Sequence, residues 1–253
     1  MRIKLTIEYV GTHFFGWQKQ NDHNSVQETL ENAIKKVLNY SEEIELYGAG
    51  RTDTGVHATG QVAHFDINDK KRCEYWSRNI TKLPIAINFY LIDTGVAVIS
   101  ASVVEDDFHA RFSAVARHYR YLIYNRKIGS VIYINRMWHV PQLLDHDMMN
   151  VAAQDLIGTH DLNAFRSAHC NASSAIRTID KISVTRHDDV VQVDISARSF
   201  LHNQVRITVG TLKQIGIGRL QSDYIKYLLE CRDRTKAGET APPDGLYLMG
   251  VDY

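Results

Sequence analysis

Cysteine is scarce. The 253 residues hold three, Cys73, Cys170 and Cys231, far apart and without a C-x-x-C pair. That spacing argues against a disulfide framework and against a cysteine zinc cluster. Long apolar runs are missing too: no uncharged stretch approaches the roughly 18–20 residues of a membrane span. The opening Met1-Arg2-Ile3-Lys4-Leu5-Thr6-Ile7-Glu8 alternates like a strand and lacks the apolar core of a signal peptide. Net charge is zero, with 29 Lys+Arg against 29 Asp+Glu. The expectation is a cytoplasmic protein with no membrane partner. At 44% hydrophobic and 23% charged residues, the chain has enough apolar surface to offset its ordering entropy. Its length suits one large domain or two of about 100–150 residues.

Neutrality argues against a polyanionic partner, but the average hides an arrangement. Residues 108–144 contain Arg111, Arg117, Arg120, Arg126, Lys127 and Arg136 and no acid, interleaved with Phe108, Phe112, Tyr119, Tyr121, Tyr124, Tyr133 and Trp138. Residues 195–222 are also acid-free and carry Arg198, Arg206, Lys213 and Arg219. Basic groups among aromatics can follow a phosphate backbone while offering flat faces to unstacked bases. A solvated charged face with its aromatics turned inward has the same composition. On this pattern the expected partner of the nucleic-acid reading is RNA or DNA.

Periodicity places the elements. Ile3, Leu5 and Ile7 alternate as a strand does. Ser25 and Glu28 form a capping-box pattern, followed by a helical stripe of Val26, Leu30, Ile34, Val37 and Leu38. Strands are expected at 45–49, 60–67, 88–91 and 96–103, and a helix near 73–82 that stops before Pro84. In the second half, 119–124 reads as a strand, 145–157 as a helix, and 181–184 with 190–195 as a hairpin around Arg186-His187-Asp188-Asp189. Val205, Val209, Leu212 and Ile215 share a helical face, 223–231 is a short helix, and 245–253 a closing strand. This is an α+β class with mostly antiparallel sheet in two successive halves, 1–105 and 106–253.

The densest local signal is Gly48-Ala49-Gly50-Arg51-Thr52-Asp53-Thr54-Gly55-Val56-His57-Ala58-Thr59-Gly60, with four glycines in thirteen residues. No Gly-Lys-Ser/Thr follows, so it is not a phosphate-binding P-loop, and a strand rather than a helix comes next, so it is not a dinucleotide fingerprint. Alone, Asp53 reads first as an Asx-turn acceptor for the amides of Thr54 and Gly55. Asp53, His57, His64 and Asp66 are metal-ligand types, but two histidines seven apart on alternating structure do not converge on one point. No Gly-x-Ser-x-Gly elbow is present.

This segment is similar to the active-site motif of the TruA-type tRNA pseudouridine synthases, whose catalytic aspartate falls here on Asp53. The likeness continues in order along the chain. Tyr9-Val10-Gly11-Thr12-x-Phe14-x-Gly16-Trp17-Gln18 resembles the family's amino-terminal strand and loop. Arg117-His118-Tyr119-Arg120-Tyr121 resembles the segment whose tyrosine stacks on the target uracil, so that role carries to Tyr119. Gly158-Thr159-His160-Asp161-Leu162-x-Ala164-Phe165-Arg166 is similar to a further family segment. Phe200-Leu201-His202-Asn203-Gln204-Val205-Arg206 resembles the helix whose arginine, here Arg206, pairs with the catalytic carboxylate. Ala241-Pro242-Pro243-Asp244-Gly245-Leu246-Tyr247-Leu248 resembles the closing motif. Departures at Val10, Leu162 and Gln204 leave Asp53, Tyr119 and Arg206 untouched.

The resemblance implies two ferredoxin-like or RRM-like subdomains with the active site in the cleft between them, and a homodimer. It implies isomerisation of uridine to pseudouridine at positions 38–40 of the tRNA anticodon stem-loop, with no DNA partner. The reaction breaks the bond from ribose C1′ to uracil N1, turns the base and joins C5 to C1′. Nothing is oxidised or added from outside, so no cofactor and no metal are expected. Asp53 would act at C1′ directly or through a glycal-like intermediate, and then move the C5 proton. Arg51, two residues before it, would fill the space left by the flipped nucleotide or hold its phosphate. Two other readings are open to these residues. A non-catalytic RNA-binding protein of similar fold would keep the basic-aromatic stretches and not need Asp53. A synthase with a different RNA target would keep both.

Overall fold

In the computed structural model, residues 1–253 are all described. Their contacts divide them into two units, Met1–Val115 with Leu248–Tyr253, and Ala116–Tyr247. The join between the two expected halves falls at 105/106. In contact terms the first unit runs on to Val115, because Arg2 donates to the carbonyls of Asp106 and Phe108 and the Ala110 amide donates to His64 Nδ1. The terminal residues return to the same unit, where the Val115 amide bonds to the Asp252 carbonyl.

The first unit is built on an antiparallel sheet. β1 (Arg2–Tyr9) lies between β4 (Val96–Val104) and β3 (His57–Asp66), with Leu5 opposite Ala101 on one side and Ala63 on the other. The two-residue β2 (Tyr47–Gly48) pairs with His64 and Ala63 of β3. Ile3, Leu5 and Ile7 are completely buried, as their period demands. Helix α1 (Val26–Leu38) starts where Ser25 Oγ accepts the Glu28 amide at 3.3 Å, and it buries Val26, Leu30, Ala33, Ile34 and Leu38.

Two expectations fail here. The helical region does not end before Pro84. After α2 (Lys70–Arg78) and a single 3-10 turn, α3 (Leu83–Phe89) starts, with that proline as its second residue. A proline in the first helical turn lacks an N–H that would have no partner anyway, and its fixed φ suits the helix. The strand expected at 88–91 is therefore absent. Asn88 sits in α3, and its side-chain amide imitates a strand: Nδ2 donates to the Val98 carbonyl (2.9 Å) and Oδ1 accepts the Val98 amide (2.8 Å).

The second unit has an antiparallel sheet in the order β5 (Ala116–Tyr124), β9 (Val190–Ala197), β8 (Ile176–His187), β7 (Gly158–Asp161). A short β6 (Trp138–His139) runs parallel to β5. The β8–β9 hairpin turns through Asp188, whose φ of 50° is one that aspartate tolerates in tight turns. Asp145 caps α4 (His146–Gln154) by accepting the Met148 amide at 2.9 Å. Helix α5 (Gln204–Gly216) is buried along Val205, Val209, Leu212 and Ile215, and α4 packs on both β8 and α5. Helix α6 (Tyr224–Cys231) follows, and β10 (Leu246–Asp252) ends the chain. The class is mixed, with mostly antiparallel strands. No helix is long and apolar enough to cross a membrane.

Candidate active site

Asp53 lies on the loop between β2 and β3, and the amino-terminal motif grips that loop from Thr52 to His57. The Trp17 amide donates to the Thr52 carbonyl at 3.1 Å, and the Gly55 amide to the Phe14 carbonyl at 3.3 Å. The buried hydroxyls of Tyr9 and Thr52 are 2.7 Å apart. The Gly11 amide donates to His57 Nδ1 at 3.0 Å. Gly16 permits the approach: its φ is +91°, and a Cβ there would stand 2.6 Å from the Thr52 carbonyl oxygen. Below the loop, Gln61 Nε2 holds the Gly50 carbonyl at 2.8 Å, and the Ala49 amide reaches the Val62 carbonyl.

These bonds bear on the Asx-turn reading of Asp53. The turn at 53–56 closes through the main chain, Val56 N–H to Asp53 C=O at 3.1 Å, with Gly55 at φ +80° in the position that a type II turn reserves for glycine. Since the Gly55 amide is directed to Phe14, the carboxylate is not spent as an Asx-turn acceptor for it. A half-buried carboxylate stands on a backbone fixed from both sides, which is the preorganisation that covalent or acid–base work requires. Arg51 is exposed on the same loop, and its Nε donates to Gln18 Oε1 at 3.1 Å.

Tyr119 and Arg206 belong to the second unit. Tyr119 sits on β5 opposite Ile195, half-buried, with its ring edge-on to Phe200 at 5.2 Å and 88°. Two residues on, and so on the same strand face, Tyr121 is fully buried and donates its hydroxyl to the Pro242 carbonyl at 2.7 Å; burial raises its pKa well above the usual value. Tyr121 is core, whereas Tyr119 is half-buried. Arg206 lies in the first turn of α5, the end at which the helix dipole disfavours a cation by about 0.3–1 kcal/mol. It is half-buried and fixed: Nε donates to the Ala241 carbonyl (2.7 Å) and Nη1 to Asn203 Oδ1 (2.8 Å). A merely solvent-facing helical arginine would carry neither bond. Segment 200–203 thus serves both residues, Phe200 at the Tyr119 ring and Asn203 at the guanidinium. Neither partner was legible as such in the sequence, although both fall inside the motif that contains Arg206.

The acid-free stretches are acid-free only along the chain. Arg120 pairs with Asp194 (2.7 Å), Arg126 with Asp189 (3.6 Å) and Lys213 with Glu239 (2.9 Å), all supplied by other segments. Lys127, Arg198 and Arg219 are exposed. The aromatics divide likewise: Tyr121 and Tyr124 are buried, Phe112 and Tyr133 exposed. The ligand-type residues near the loop serve the framework. His57 takes the Gly11 amide, and Asp66 makes a two-pronged pair with Arg2 at 2.9 and 2.7 Å. His64 is buried, accepts the Ala110 amide and stacks on Tyr47; burial, then the neighbouring His109, lower its pKa to about 4.

Comparison with known proteins adds a full-length likeness. The family model for tRNA pseudouridine synthase matches residues 5–113 and 152–253. The chain is 47% identical over 254 aligned residues to tRNA pseudouridine synthase A of Agrobacterium fabrum, covering 100% of this chain and 92% of that protein. It is 46% identical to tRNA pseudouridine synthase A of Brucella ovis, covering 100% and 98%. Among solved structures, a chain of the Cbf5-Nop10-Gar1 complex aligns with 84% of this chain and 54% of its own length at 10% identity and a TM-score of 0.32, too slight a likeness to bear on the site.

Proposed function

The chain belongs to the tRNA pseudouridine synthase family, and on that premise we infer that it isomerises uridine to pseudouridine in tRNA, at positions 38–40 of the anticodon stem-loop, with Asp53 as its catalytic carboxylate. The observation that carries this reading is the rigidly held Asp53 loop within a likeness that spans the whole chain. The family's two ferredoxin-like halves, its homodimer and a cytoplasmic setting form part of the same proposal.

The chemistry asks for few groups. The C1′–N1 bond breaks, the detached uracil turns, C5 bonds to C1′, the proton leaves C5, and N1 ends protonated. A carboxylate near C1′ stabilises the electron-poor ribose carbon or bonds to it, and it is a base of suitable strength for the proton that follows. Tyr119 is assigned to the base, where its half-buried ring supplies stacking worth about 1–3 kcal/mol. Arg206 is assigned as the cation that serves the carboxylate; its bonds to Ala241 and Asn203 fix its direction beforehand, and a planar guanidinium offers two parallel donors. Arg51 is assigned to the flipped-out nucleotide, whose unstacking costs a few kcal/mol that protein contacts must offset.

The test is a modification map. In tRNA from a strain lacking the protein, pseudouridine should disappear at 38–40 and return when the wild-type chain is supplied. Loss at other positions, with 38–40 intact, would overturn the assigned target.

A further inference from the structure

Arg51 is exposed, and a long exposed side chain samples many rotamers. Its Nε is nevertheless met at 3.1 Å by Gln18 Oε1. Gln18 is in turn held from behind: its Nε2 donates to Gln27 Oε1 at 2.7 Å. Gln27 Oε1 also accepts the Lys19 amide (3.0 Å), while Gln27 Nε2 donates to Glu31 Oε1 (2.8 Å) and to the Leu46 carbonyl (3.1 Å). Glu31 is buried, takes the Leu46 amide at 3.3 Å and lies 3.7 Å from Lys19 Nζ.

The order of donors in this chain is dictated. The Leu46 carbonyl only accepts and the Lys19 amide only donates, so Gln27 must turn its NH2 toward Leu46 and Glu31 and its Oε1 the other way. Gln27 Oε1 then faces Gln18, which must answer with its own NH2. That leaves Gln18 Oε1 facing outward, where it can meet only a donor. Two amides head to tail carry the polarity of a buried carboxylate to an exposed guanidinium, and each bond in such a chain polarises the next. We propose that Gln18 is a positioning residue for Arg51, held in the acceptor-outward orientation by Gln27 and Glu31, so that the guanidinium is already aimed when the target nucleotide leaves its stack. This deepens the proposed role of Arg51 and rests on it.

A double-mutant cycle on the full chain tests the proposal, reading single-turnover pseudouridine formation and tRNA affinity separately. Gln18→Ala should slow the chemical step about 5- to 20-fold while tRNA affinity stays within about twofold, because positioning acts after binding. In an Arg51→Ala background, Gln18→Ala should add less than about twofold, the mark of residues acting through one another. Gln27→Met, which keeps the volume and removes the amide, should behave the same way, and a urea midpoint for each variant shows whether its fold is intact. A Gln18→Ala effect that multiplies undiminished with Arg51→Ala would overturn the positioning role and leave that of Arg51 standing. An Arg51→Ala variant with the wild-type rate would instead overturn the role of Arg51 itself.

Discussion

The hydroxyls of Tyr9 and Thr52 meet at 2.7 Å in the interior of the first unit, joining the end of β1 to the residue just before Asp53. Tyr9→Phe removes one of the two hydroxyls and leaves the other buried without that bond. A loss of about 1–3 kcal/mol in urea unfolding is expected. Because the loop it holds carries the carboxylate proposed to react, single-turnover pseudouridine formation should also slow about tenfold.

The stacking role proposed for Tyr119 makes a graded prediction. Tyr119→Phe keeps the stacking face and should leave kcat/KM on tRNA within about threefold of wild type, whereas Tyr119→Ala, which loses stacking worth about 1–3 kcal/mol, should lower it roughly 5- to 150-fold. Equal effects of the two variants would place the function in the hydroxyl instead.

Spatial pairing separates basic residues that the linear sequence presents as equals. Affinity for tRNA should fall steeply with added salt, with a slope of about 0.7–0.9 per phosphate contact. Arg198→Ala and Arg219→Ala should lower that slope. Arg120→Ala and Lys213→Ala should hardly change it, since those cations already face Asp194 and Glu239. A titration of affinity against salt for the four variants checks this.

The buried His64 gives the first unit a pH dependence. Its folded pKa of about 4 lies below the ordinary 6.5, so the unfolded chain binds the extra proton between those values. Stability is fully present above pH 6.5, declines as the pH falls toward 4, and the loss is complete below that. With allowance for screening the contribution is on the order of 1–2 kcal/mol. His64→Asn, which keeps an acceptor for Ala110 but cannot titrate, should flatten this limb of a stability-against-pH curve measured by urea unfolding.

Features with a local physical cause were legible in the sequence. The alternation of Ile3, Leu5 and Ile7, the cap at Ser25 and the hairpin at Asp188 each depend on a few neighbouring residues, and each forms, the hairpin with a shorter turn than read because Arg186 and His187 still pair within β8. Pro84 and Asn88 misled because local preference was overruled. Proline opens a helix as readily as it ends one, and the bonds of Asn88 to Val98 join residues ten apart. The environment of the Asp53 loop was out of reach for the same reason. Tyr9 and Thr52 are 43 positions apart, and Arg51 and Gln18 are 33 apart. The acids that meet Arg120 and Lys213 likewise come from segments far along the chain or across a turn. The carboxylate could be picked out from its motif, whereas the grip upon it belongs to the fold.

The central claim, that Asp53 performs the isomerisation, is tested most directly by Asp53→Asn, which preserves shape and removes the charge. Single-turnover pseudouridine formation and tRNA binding should be measured on the same preparation. The account predicts no detectable pseudouridine, with tRNA affinity within a few-fold of wild type. Pseudouridine formed by that variant at a rate near wild type would contradict it.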